Sequence, residues 1–134
     1  MQPNCGDKAN VPTPRTRLGT WGEELATQFL ADRGYHILTT NYRCAYGEVD
    51  IVAQDGQELV FVEVRTRHAE SFVAPEESLS AAKVRRLVAA CQDYMMARPE
   101  GDTRWRIDLV CVYAGRGRRV ERISHLPHAI QLES

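Results

Sequence analysis

Between Glu48 and Arg65 the side chains read as two strands joined by a turn. Successive residues of an extended chain point to opposite faces, so positions repeat with a period of 2. Glu48, Asp50 and Val52 share one face of the first strand. In the second strand, Val60, Val62 and Val64 form one face, and Leu59, Phe61, Glu63 and Arg65 the other. A charged pair closing so apolar a strand is unusual, because unpaired charges are seldom buried. Asp55-Gly56 is a hairpin signal. A loop of those two residues alone pairs Glu48 with Glu63 and leaves Asp50 diagonal to it. A loop widened to take in Gln57 and Glu58 sets Asp50 directly opposite Glu63. In both registers the carboxylates share a face, roughly 5 to 8 Å apart at Cβ. Like charges that close repel, which implies a compensating cation: a metal ion, Arg65, or both.

The flanking segments carry helical periodicity. Leu18, Trp21, Leu25 and Phe29 make one apolar stripe over residues 17–32, widened by Ala26 and Leu30 and ended by Gly34. Glu23 lies at the border of that stripe, beside Leu30, while Glu24 faces solvent. Residues 35–39 read as a strand, 41–46 as a connection, and 67–77 as a polar loop near the site. A second helix is expected over residues 80–97, with Ser80 as N-cap and Lys83 in its first turn. Its stripe is Val84, Leu87, Val88, Cys91, Tyr94 and Met95. Residues 104–113 alternate again: Trp105, Ile107, Leu109, Cys111 and Tyr113 on one face, Arg106 and Asp108 on the other. A turn over 115–119 leads to a short edge strand near 120–123. The order αβββαβ, with that last strand, predicts an α/β fold: a mixed sheet flanked by helices. Residues 1–16 read as a flexible tail and 17–134 as one domain.

Composition narrows the picture slightly. The chain has 134 residues, 43% of them hydrophobic and 26% charged, as in an ordinary globular protein. No apolar run approaches a membrane span, and no signal-peptide core is present, so a cytoplasmic protein is expected. The four cysteines form no CxxC pair and read as free thiols. His125 and His128 lack partners at zinc-site spacing. A net charge of −1 argues against a protein that coats nucleic acid, though not against a local basic groove. The basic residues do cluster: Arg15 with Arg17, Arg65 with Arg67, Lys83 with Arg85 and Arg86, and Arg116 to Arg122. The bland reading of each cluster is a solvated surface.

Several stretches in order resemble the PD-(D/E)xK nucleases, the restriction-endonuclease-like superfamily that includes Holliday-junction resolvases. The likeness is closer still to the YraN-like bacterial family within it. The stretches are Gly19-Thr20-Trp21-Gly22-Glu23, Asn41-Tyr42-Arg43, Gly47-Glu48-Val49-Asp50, Phe61-Val62-Glu63-Val64-Arg65-Thr66-Arg67, Lys83 with Arg86, and Arg106-Ile107-Asp108. The resemblance implies that Glu23, Asp50 and Glu63, with the Val64 carbonyl, hold Mg²⁺ or Mn²⁺. It also implies a resolvase-like endonuclease acting as a homodimer on DNA, branched or otherwise distorted. The alternative is a noncatalytic module that keeps the fold and binds DNA or RNA. Arg43, Arg67, Lys83 and Arg86 are the expected nucleic-acid contacts. This chain has Arg65 where the family pattern has lysine. Arginine stays protonated, so Arg65 serves catalysis only as a cation or hydrogen-bond donor, and Lys83 is a candidate for the missing amine.

The residues themselves leave other roles open. Asp50, Glu63 and Arg65 also suit a buried ion-pair network without metal. Glu48 reads either as a ligand or as a partner of Arg65, and Asp108 either as support for the site or as a partner of Arg106. Tyr42, Arg43 and Tyr46 either stack on bases or pack on the sheet. Trp21 and Trp105 are core residues.

Overall fold

The elements that periodicity predicts all form in the computed structural model, which describes residues 14–71, 74, 79–98 and 104–130. They are α1 (Pro14–Asp32), β1 (His36–Cys44), β2 (Gly47–Asp55), β3 (Glu58–His68), α2 (Ala81–Met96), β4 (Trp105–Ala114) and β5 (Val120–Leu126). The strands make one sheet in the order β1-β2-β3-β4-β5. Only β3 and β4 run parallel, and α2 is the crossover between them. The fold is therefore the mixed, helix-flanked sheet of a restriction-endonuclease-like core. Among the described residues no helix is long and apolar enough to cross a membrane.

Each helix covers one face of the sheet. Ala26 and Leu30 of α1 pack on Ile51, Ala53, Val60, Val62, Val110 and Val112. Leu87, Ala90 and Cys91 of α2 pack on Tyr42, Val49, Val52, Leu59, Phe61 and Ile107. A sheet buried on both faces explains why β3 and β4 read as apolar runs through their middles. Each fully buried Leu, Ile or Phe contributes about 1.5–3 kcal/mol from burial. Phe61 meets Trp105 and Tyr94 edge to face, with centroids 5.4 and 5.7 Å away. Trp21 and Trp105 are partly buried against the two clusters, as core residues should be.

Four details differ from expectation. Helix α1 begins at Pro14, not residue 17; proline suits a first turn, where its missing N–H breaks no bond. Residues 41–44, expected as a connection, extend β1, and Ala45-Tyr46 is a two-residue hairpin loop to β2. An edge strand needs little apolar content, so His36-Ile37-Leu38-Thr39-Thr40-Asn41-Tyr42-Arg43-Cys44 carries only a weak strand signal. Strand β5 reaches Leu126, three residues beyond expectation, for the same reason. The alternation of β2 also slips at Asp50: Val49 and Val52 both face α2, whereas Ile51 and Ala53 face α1. Glu48, Asp50 and Val52 therefore do not share the single face that strict alternation assigns them. Residues 1–13 of the expected tail and much of the expected loop over 67–77 lie outside the described residues, although β3 itself runs on to His68.

Candidate metal and nucleic-acid site

Chain register brings the two strand carboxylates together. Gln54 pairs with Leu59 and Asp55 with Glu58 around a Gly56-Gln57 turn. That register sets Asp50 opposite Glu63, the arrangement expected of the wider loop, although the turn itself is tight. The regular pairing stops at Ile51–Val62, one step before Asp50. There the Val64 N–H donates to Asp50 Oδ2 at 2.8 Å. Val64 thus meets the site through its N–H.

Glu23 arrives from α1. A Cβ on Gly22 would fall 2.1 Å from Thr66 Oγ1, so any larger residue would have to displace that side chain where this turn of α1 meets β3. The Glu23 carboxyl lies within hydrogen-bonding reach of Asp50 and of the Asn41 side chain. Asn41 sits at φ 55, and β1–β2 pairing skips it between Thr40–Ile51 and Tyr42–Val49. This kink, placed across from Asp50, turns the amide toward the acids. Asn41 is the site residue that pattern reading missed. Its signal was a strand-averse residue, tolerant of left-handed backbone, inside Thr40-Asn41-Tyr42.

Lys83 and Arg65 supply positive charge. Ser80 Oγ accepts from the Lys83 N–H at 3.1 Å, capping α2 as expected and fixing Lys83 in its first turn. Lys83 Nζ lies 3.6 Å from Glu63 Oε2, and Arg65 Nε lies 3.5 Å from the same oxygen. Even so, burial and the Asp50 charge raise Glu63 from 4.5 to about 7. Burial, then Asp50 and Glu48, raise Glu23 from 4.5 to about 7. Asp50 is also raised, by burial first, against the lowering effect of the Val64 hydrogen bond. Asp50 and Glu63 are only 8% and 3% exposed. Three neighbouring acids whose pKa values are all raised form a cluster short of positive charge.

The cluster suits a hard cation in its donor chemistry, all oxygen. Among the described residues, no three His, Cys, Asp or Glu side chains stand ready as a metal cage. Glu23 instead neighbours Asp50, and Glu63 faces Lys83 and Arg65. The pH consequence follows. Between about pH 4.5 and 7 the folded protein holds more protons than the unfolded chain, so stability falls as pH rises through that window. The expected result is a higher melting temperature at about pH 5.5 than at about pH 8 in chelator. A site that takes Mg²⁺ must give up those protons, so added Mg²⁺ would raise it more at the higher pH. Scanning fluorimetry that shows the same Mg²⁺ shift at both values, in the parent and in Glu23→Gln, would rule this out.

The basic residues divide. Arg43, Lys83 and Arg86 line one cleft. Arg67 lines a different cavity with Leu18, His68 and Arg118, so it does not join the other three. Glu48 lies 3.2 Å from Arg43 Nε, which makes it the partner of Arg43 rather than of Arg65. Tyr42 is buried and hydrogen-bonds Asp93, so it packs rather than stacks. Tyr46 stays exposed. Asp108 pairs with Arg106.

Comparison with known proteins adds one decisive observation. The model of the uncharacterised protein family UPF0102 matches residues 22–112, a span that contains every candidate site residue from Glu23 to Arg86. The chain belongs to the UPF0102 family. This is the YraN-like group that its motifs resemble. It is 45% identical to a UPF0102 protein of Roseiflexus castenholzii over 87% of this chain and 95% of the relative. A UPF0102 protein of Chloroflexus aurantiacus is 43% identical over 90% of this chain and 98% of its own length. One from Moorella thermoacetica is 45% identical over 79% and 88%.

Proposed function

We propose that this UPF0102 protein is a divalent-metal-dependent endonuclease of resolvase-like type acting on DNA. The observation that carries the reading is the convergence of Glu23, Asp50 and Glu63 from α1, β2 and β3 on one another, with Lys83 of α2 against Glu63. Glu23, Asp50 and Glu63 would hold Mg²⁺ or Mn²⁺. When bound, the ion supplies an activated water and polarises the scissile phosphate. Lys83 and Arg65 place two cations at the edge of the acids, where a phosphate would carry its developing charge. Lys83 is the amine of the two, and so the one suited to move a proton. On a branched substrate this reading calls for two copies, one for each strand.

The test is incubation of purified protein with linear, flapped, mismatched and four-way DNA and with structured RNA, in Mg²⁺ or Mn²⁺. Cleavage of DNA that needs the metal and disappears in Asp50→Ala is expected. A second reading is a noncatalytic nucleic-acid-binding module. Arg65 in place of lysine favours it, as does the absence, among the described residues, of a ready metal cage. Binding without turnover on every substrate would select that reading.

A further inference from the structure

We propose that the cleft between the β1–β2 hairpin tip and the start of α2 binds an unpaired nucleotide of a single strand. Its place beside the scissile phosphate rests on the nuclease reading, but the binding site itself does not. The cleft has a volume of about 510 Å³, within the usual range of ligand sites. Arg43, Lys83 and Arg86 line it, with Tyr46, Gly47 and Leu87. Glu48, the one acid among its described lining residues, is paired with Arg43 at 3.2 Å, so this lining presents an excess of positive charge.

Tyr46 is the second observation. It is 60% exposed at the hairpin tip, whereas Tyr42, four residues earlier, is buried and bonded to Asp93. The tip rests on the helix: a Cβ on Gly47 would lie 2.9 Å from the Arg86 carbonyl oxygen. An exposed ring on a braced turn, beside three cations, is how proteins hold single strands. Bases stack on the ring and phosphates meet the basic side chains. Bases inside a duplex are stacked on one another and offer Tyr46 no free face. Lys83 links the cleft to the acids through its contact with Glu63 at 3.6 Å. An unpaired nucleotide held here would flank the bond to be cut, so the substrate class is DNA with a single-stranded segment next to a duplex.

Fluorescence anisotropy in chelator and low salt tests binding without cleavage, using a short labelled single strand and the blunt duplex of the same sequence. Tyr46→Ala should weaken single-strand binding about tenfold. Tyr46→Phe should retain it, because the ring stacks and the hydroxyl does not. Neither change should move blunt-duplex affinity by more than about twofold, nor the melting temperature. Equal losses on strand and duplex, no loss on either, a Phe variant as weak as the Ala variant, or a parent that does not bind the strand would each overturn the proposal. Because no metal is present, failure of the nuclease reading leaves this result standing, and the reverse holds too.

Discussion

Arg106→Met is expected to cost about 3–5 kcal/mol of stability, because it strands a buried charge. Asp108 is 0% exposed at the middle of β4. Arg106 Nε donates to Asp108 Oδ1 at 2.9 Å and Nη2 to Oδ2 at 3.3 Å, the two-pronged geometry that favours arginine. Arg106 also reaches Glu58 at 2.8 Å and the Tyr35 hydroxyl at 2.9 Å. His125 Nε2 of β5 lies 2.8 Å from Asp108 Oδ2, and the His128 N–H donates to Oδ1 at 3.0 Å. Burial alone would raise the Asp108 pKa, but these donors, His125 and Arg106 foremost, hold it below the usual carboxylate range. The network joins the segment after α1, the start of β3, β4 and β5 through one guanidinium and one carboxylate. Removing the arginine leaves the carboxylate desolvated and part of its bonding unmade. Arg106→Met with Asp108→Leu should recover much of the loss, since an apolar pair of similar volume needs no compensation. Urea unfolding of the single and double variants measures both numbers. A single variant that loses less than about 1 kcal/mol would show that water reaches the network and screens it.

This network also shows what a linear reading reaches. The pairing of Arg106 with Asp108 was one of two options on a single strand face, and it formed. His125 could not be placed, because it meets Asp108 across two strands 17 positions apart in sequence. Local spacing carries no such information, and β5 is half exposed and weakly patterned. The carboxylate pair was far more legible. Counting residues across the Asp55-Gly56 signal left two registers, and one of them is the register that forms. Glu23 was legible because helical periodicity puts it at the border of an apolar stripe. Lys83 was legible from the Ser80 cap. Asn41 was not, since its role depends on a left-handed kink inside an edge strand. The slip of β2 at Asp50 was hidden for a related reason: strict alternation assumes an unbroken ladder, and the ladder breaks on both sides of Asp50. Two of the places where local rules fail here, Asn41 and Asp50, lie at the site.

Lys83→Ala is expected to reduce metal-dependent cleavage by about 10²–10⁴-fold, the range spanned by losing a positioned proton donor or acceptor. Lys83 Nζ already lies beside Glu63, and the helix cap holds its backbone in place. Arg65 stands at the strand position where the family pattern has lysine, with its guanidinium on the same Glu63 oxygen. Two cations that converge on one carboxylate can divide the work: Arg65 as a fixed charge on the phosphate, Lys83 as the amine. Arg65→Lys alone should then change cleavage little, because the site already has its amine. Arg65→Ala should lose about 10²-fold by removing a charge from the transition state. The informative variant is the double exchange, Lys83→Ala with Arg65→Lys, which moves the amine back to the strand. It should regain at least a tenth of the parent rate while Lys83→Ala alone does not. Melting temperatures with and without Mg²⁺ separate lost chemistry from lost fold. A Lys83→Ala protein that cleaves as fast as the parent, or a double variant no better than the single, would remove Lys83 from the mechanism and leave Arg65 as the only cation of the strand motif.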